Sequence, residues 1–301
     1  MSIRPVKRVT ESVPTMEGAG VKLHRAFGFG DTHEFDPFLL FDDFRNEHPA
    51  DYLAGFPWHP HRGIETITYV LAGEVEHGDS LGNRGTLGAG DVQWMTAGSG
   101  ILHQEMPKGD TRGRMHGFQL WANLPASLKM TTPRYQDIQA RDIPELVDDD
   151  GTSVRVVAGS FWGQTGPVDG IAADPRYLDV WVPPLTKKAL PVETTRHAFA
   201  YIFEGSGRFR GASAPQPIKT DPVGTPSPAA ETEAGNRSLI LFDRGDEVVV
   251  EAGEQGLRFL LVSGQPLEEP VAWYGPIVMN TPAELQQALG ELRAGTFIKH
   301  R

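Results

Sequence analysis

The stretch ETITYVLAGEVEH, residues 65–77, alternates apolar and polar side chains through β-branched and aromatic residues, breaks at Gly73 and then resumes. A period of two marks an extended strand with one face turned to a core. GDSLGNRGTLGAGD (78–91) next supplies turn after turn, and VQWMTAG (92–98) takes up the extended pattern again, so this part reads as a meander of short antiparallel strands. HGFQLWANLP (116–125) and TSVRVVAGSFWG (152–163) continue it, and the first half ends near GPVDG (166–170). The 34 glycines and 24 prolines, spread along all 301 residues, fit many short strands joined by tight turns. An all-β protein is predicted, long enough for one large domain or two ordinary ones.

The same strand recurs. HAFAYIFEG (197–205) sets Tyr201 on Tyr69 and Gly205 on Gly73, and RGDEVVVEAG (244–253) sets Gly245 and Asp246 on Gly90 and Asp91 of AGDVQWMTAG (89–98). A duplicated β-domain accounts for both matches. It divides the chain into residues 1–170 and 171–301. Between the aligned blocks of the second copy, GASAPQPIKTDPVGTPSPAAETEAGN (211–236) has no hydrophobic face and is expected to be a mobile surface loop. TPAELQQALGELRAG (281–295) carries a Thr cap, Pro at the first helical position, Leu285, Ala288, Leu289 and Leu292 at helical spacing, and a stop at Gly295. A short C-terminal helix is predicted there.

Composition narrows the chemistry. A net charge of −11, with no basic cluster longer than Lys187–Lys188, argues against direct nucleic-acid binding. The N-terminus MSIRPVKRVTESVPTMEG lacks the apolar run of a signal peptide and no segment reaches membrane-spanning length, so a cytoplasmic protein without membrane attachment is expected. With no cysteine, any metal must be held by His, Asp or Glu.

Attention falls on FPWHPHRG (56–63). His59 and His61 are two apart, so they project from one face of a strand, and Pro60 between them cannot donate to a ladder, which places the pair at a strand start or a sheet edge. GSGILHQEMP (98–107) repeats the spacing with His103 and Glu105. Two strands of one barrel thus aim four side chains at one point. Three neutral imidazoles and a carboxylate suit one divalent ion such as Fe(II), Mn(II), Ni(II) or Zn(II). Glu65 has the parity of His59 and His61, so spacing leaves the carboxylate open between Glu65 and Glu105. The second copy lacks the set: the alignments put Pro191 and Glu193 on His59 and His61, and Arg258 and Leu260 on His103 and Glu105.

The run from Phe56 to Pro107, with DPFLLFDDF before it, GFQLWANLP after it and WYGPIVMNTPAEL near the C-terminus, resembles the pirin family of the cupin superfamily over essentially the whole chain. The resemblance implies two tandem cupin barrels of the double-stranded β-helix, or jelly-roll, type. It also implies one iron site in the first barrel, with His59, His61, His103 and Glu105 as ligands and Glu65 left as a wall or supporting residue. Some bacterial members resemble quercetin 2,3-dioxygenases, which cleave a flavonol with O2 and release CO. On that reading the protein is an Fe(II) enzyme acting on a small aromatic substrate, with Glu105 as the catalytic base. Other members resemble regulators, and the alternative is an iron- or redox-sensing protein that binds a transcription factor or a metabolic enzyme. A monomer is expected. Phe56, Met95, Phe118 and Trp121 are candidate pocket walls and His116 a candidate cavity residue, whereas His24, His33, His48, His77 and His300 are read as surface or hydrogen-bonded histidines.

Overall fold

The alternation in Ile64–Ala72 is realised as a strand with two buried faces. Thr66, Thr68 and Val70 point into the first barrel, while Ile67 and Tyr69 pack against Tyr177, Phe199, Tyr201 and Leu260 of the second. The computed structural model describes residues 2–211 and 232–300. Most of the loop expected at 211–236 lies outside these residues, and its last part, Thr232–Gly235, is a strand paired with residues 206–209.

The expected meander is not formed. Ile64–Ala72 pairs with Val92–Thr96 on one side and His116–Asn123 on the other, while Glu74–Asp79, which follows it directly, crosses to a different sheet. The first barrel is therefore a seven-stranded sheet, from Arg134–Ile138 to Val13–Glu17, facing a four-stranded sheet of Phe56–His61, Ile101–Lys108, Glu74–Asp79 and Arg84–Leu87. Alternation between layers is the jelly-roll connection. Local pattern shows that strands exist but not which strand each one pairs with.

The second barrel is the same device drawn as one nine-stranded sheet, because His197–Phe209 and Glu247–Gly264 are long enough to bend from one layer into the other. The first aligned pair holds in space. Gly73 and Gly205 have φ of 80° and 71°, and Cβ atoms there would meet the carbonyl oxygens of Lys108 and Gly256 at 2.7 and 2.1 Å. The second pair was one strand out of register. Val92 pairs with Tyr69, and the residue in that place beside Tyr201 is Leu239, so Val92–Thr96 corresponds to Ser238–Phe242 and not to the run after Gly245. The ladders then match His103 with Val248 and Glu105 with Val250, and match His59 and His77 with Leu190 and Phe209. These four replacements belong to the apolar core that fills the second barrel. The places that match the candidate ligands are thus a filled interior.

The division at residue 170 separates the halves of the chain rather than the sheets, since Val6–Glu11, Glu145–Val147 and Ser153–Ala158 all belong to the second barrel's sheet. Between the barrels, the two repeat-related tyrosines exchange bonds. Tyr69 Oη donates to Asp179 Oδ2 at 2.7 Å, and Tyr201 Oη donates to Asp43 Oδ2 at 3.0 Å. Each carboxylate also takes an arginine, Arg258 at Asp179 and Arg45 at Asp43, so neither buried charge is left unpaired.

The helix runs over Pro282–Arg293, with Thr281 as its cap and a reciprocal bond from Glu284 that completes a capping box. Leu285, Ala288 and Leu289 pack under it, whereas Leu292 stays on the surface. Among the described residues no helix is long and apolar enough to cross a membrane.

Candidate metal centre

His59 and His61 lie on Phe56–His61, the edge strand of the four-stranded sheet, as the proline between them requires. Its neighbour Ile101–Lys108 sets His103 directly opposite His59. The three Nε2 atoms converge: His59 to His61 is 3.1 Å and His103 to His59 is 2.9 Å. His61 and His103 are almost wholly buried.

The hydrogen bonds identify what converges. His59 Nδ1 donates to the Pro57 carbonyl at 2.9 Å and His61 Nδ1 to the Pro276 carbonyl at 3.2 Å. A carbonyl only accepts, so each ring carries its proton on Nδ1 and turns an Nε2 lone pair toward the other. Two lone pairs at 3.1 Å repel unless a cation lies between them. A proton is a poor candidate for that cation, because burial pushes both His61 and His103 well below the usual histidine range. Nitrogen atoms about 3.0 Å apart are what two ligands at about 2.1 Å subtend at a right angle on one ion. The histidine cluster therefore fits a metal ion.

The carboxylates separate. Glu105 is buried, and its Oε1 accepts from Thr68 Oγ1 at 2.8 Å, which holds it outside the histidine trio but in the wall of the same cavity. Glu65 Oε1 accepts from Thr96 Oγ1 at 2.7 Å on the face that carries Ile67 and Tyr69, turned away from the centre, and burial raises its pKa. Parity misled because the strand is not continuous. Gly63, at φ 77°, carries the chain from one sheet into the other between His61 and Glu65.

A cavity of about 620 Å³ opens beside His59, His61 and Glu105. Phe56 and Trp121 line it, as predicted, with the Trp121 ring 5.0 Å from that of His61. Met95 packs instead in a cluster with Ile64 and Val278, and Phe118 faces the second barrel, because only odd-numbered residues of His116–Asn123 such as Gln119 and Trp121 look inward. His116 likewise leaves the cavity for the inter-barrel contact, 5.2 Å from Phe118 and 5.9 Å from Phe203.

Residue composition did not single out several further groups. Arg25 grips Asp42 with two bonds of 2.8 Å in the cavity wall, and Trp273, from near the C-terminus, also lines the cavity. His77 is not a surface residue: it is buried, 5.4 Å from the His103 ring and stacked on Tyr135, with Nε2 3.7 Å from Asp79. Its signal was present, since His77 and Asp79 repeat the two-residue spacing and stand opposite Glu105 and His103.

The model of the family described as Pirin matches residues 20–122, and that of the Pirin C-terminal cupin domain matches residues 177–298. A pirin-like protein from Caulobacter vibrioides is 43% identical over 298 residues, covering 99% of this chain and 100% of the relative. The chain belongs to the pirin family. Among other pirin relatives, human pirin is 38% identical, with 95% of this chain and 92% of that one covered. The crystal structure of a quercetin 2,3-dioxygenase from Acinetobacter baumannii superposes with a TM-score of 0.84 at 31% identity, covering 98% of both chains. The two tandem barrels expected from the pirin resemblance are those found.

His116 gives a pH prediction for this pirin. Burial lowers its pKa to about 4, against 6.5 for an ordinary histidine. The folded chain keeps it neutral while the unfolded chain takes up a proton below pH 6.5. Its contribution is therefore intact above pH 6.5 and is lost as pH falls toward 4, by at most about 3 kcal/mol. Urea unfolding of His116→Gln should show a shallower loss between pH 7 and pH 4 than the parent, and parallel losses would refute the assignment.

Proposed function

We propose that the chain is a metal-dependent oxidoreductase of the quercetin 2,3-dioxygenase type, with one Fe(II) per chain, that opens the central ring of a flavonol-like substrate with O2 and releases CO. In this reading His59, His61 and His103 hold the ion and Glu105 completes the set. The observation that carries it is the cavity of about 620 Å³ bordering two of the three imidazoles, a volume suited to a molecule of this size. The bound ion supplies Lewis acidity toward an enolic hydroxyl and a route for electron exchange with O2. The chain's own residues do the rest. Trp121, Trp273 and Phe56 offer apolar faces for a flat ring system and exclude water from it. Thr68 steadies Glu105 through Oε1, and Glu105 is the carboxylate of the cavity wall that would take the proton of the hydroxyl.

The regulatory alternative calls for a closed centre beneath a flat charged surface, and the open cavity weighs against it. The test is direct. Fe(II)-loaded protein should consume O2 with quercetin, and Glu105→Gln should lower kcat by about 10²-fold or more. Quercetin loss no faster than in a free-iron control would sink the proposal.

A further inference from the structure

After Gly264 the chain leaves the second barrel and returns to the first. A hairpin of Ala272–Tyr274 and Ile277–Met279, then the helix, then the tail to Phe297 lie against the strand that bears His59 and His61. Val278 N donates to Arg62 O at 3.0 Å, and Lys129 Nζ reaches Val278 O at 3.0 Å and Gly63 O at 2.8 Å, lacing strap and strand together. Arg62, next to His61, is fully buried. Its Nη1 pairs with Glu291 Oε2 at 2.8 Å, its Nη2 donates to Phe297 O at 2.8 Å, and its guanidinium lies 4.1 Å over the Phe297 ring. Three contacts with two partners, Glu291 and Phe297, hold one side chain that is not part of the cavity lining.

Their effect falls on His61. The Pro276 carbonyl that receives His61 Nδ1–H belongs to this strap, so the strap selects the tautomer whose Nε2 faces His59 and His103. Without that acceptor, the proton can move to Nε2 and block the lone pair. We propose that Arg62, clamped by Glu291 and Phe297, is a positioning residue for the metal centre: it docks the C-terminal strap so that the Pro276 carbonyl fixes His61 in its metal-ready form. The proposal rests on the reading of the histidine trio as a metal site. Metal affinity in the first barrel is then set by residues encoded at the far end of the chain, and the same strap brings Trp273 into the cavity wall.

The experiment uses the full chain, freed of metal and titrated with Co(II), with nitrogen NMR of labelled histidines to report tautomers. Wild type should bind one Co(II), with His61 protonated at Nδ1 before binding. Arg62→Met should lower Co(II) affinity by about 10- to 100-fold, as loss of a ligand's support commonly does, and His61 should become a tautomer mixture; a purely structural role for Arg62 would leave the tautomer alone. Arg62→Lys, which keeps the charge but not the two-sided grip, should be intermediate. Glu291→Gln, on the accessible side of the clamp, should weaken binding several-fold and serves if Arg62→Met does not fold. Wild-type binding matched within twofold by folded Arg62→Met, or by Glu291→Gln if Arg62→Met does not fold, would overturn the clamp alone. Absence of Co(II) binding by wild type would overturn the metal reading and the clamp with it.

Discussion

His103→Ala should erase metal-dependent stabilisation altogether. Wild-type protein with free divalent ion at about a thousand times its dissociation constant should gain about 4 kcal/mol, which raises the unfolding midpoint by roughly 5–10 °C for a chain of this size. His103 is the member whose loss removes most. It is completely buried, it stands opposite His59 on the neighbouring strand, and its Nε2 is 2.9 Å from that of His59. Without it two lone pairs remain, on one edge strand, and the third direction is gone. The variant should fold, because an apolar methyl replaces a ring that burial already keeps neutral. The measurement is a thermal melt without added metal and with free Co(II) or Fe(II) at about a thousand times its dissociation constant. An equal upward shift in wild type and variant would show that the ion binds elsewhere.

The second large effect concerns a backbone position. Gly63→Ala should cost about 3 kcal/mol or more and should weaken metal binding as well. A Cβ at Gly63 would lie 1.9 Å from the Val278 carbonyl oxygen and 2.9 Å from Lys129 Cδ, and φ is 77°. The left-handed backbone alone costs a non-glycine residue about 1 kcal/mol. The remainder comes from forcing apart two backbones that the Val278–Arg62 and Lys129–Gly63 bonds hold in contact. Gly163→Ala is the matched control: φ is 79° there, yet nothing lies within 4 Å. Urea unfolding should separate the two by about 2 kcal/mol, and equal losses would mean that strain, not the collision, sets the cost.

Much of the fold was legible because its signals are local. The two-residue period of Ile64–Ala72, the positive-φ glycines at 73 and 205, and the Thr281–Pro282 helix start each act within a few residues. The histidine pairs were legible for the same reason, since spacing of two fixes a shared face on any strand. What failed depended on pairing. Glu65 shared parity with His61 only on a strand that does not bend, and Gly63 bends it. A Gly-Asp turn followed by an apolar run looked alike at residues 90 and 245, although the ladders place the two runs differently. The bond from His61 to Pro276 spans 215 residues of sequence and has no local trace.

The crossed bonds of Tyr69 and Tyr201 to Asp179 and Asp43 are what a two-fold axis produces when one surface meets its own copy. Two identical subunits joined in this way must carry a ligand set twice or not at all, since every substitution appears on both sides. Joined end to end in a single polypeptide, the halves are free to differ. One keeps a polar interior around three imidazoles, and the other fills the matching places with Leu190, Phe209, Val248 and Val250. Division of labour between reactivity and rigidity, closed to a symmetric pair, is open to this asymmetric one.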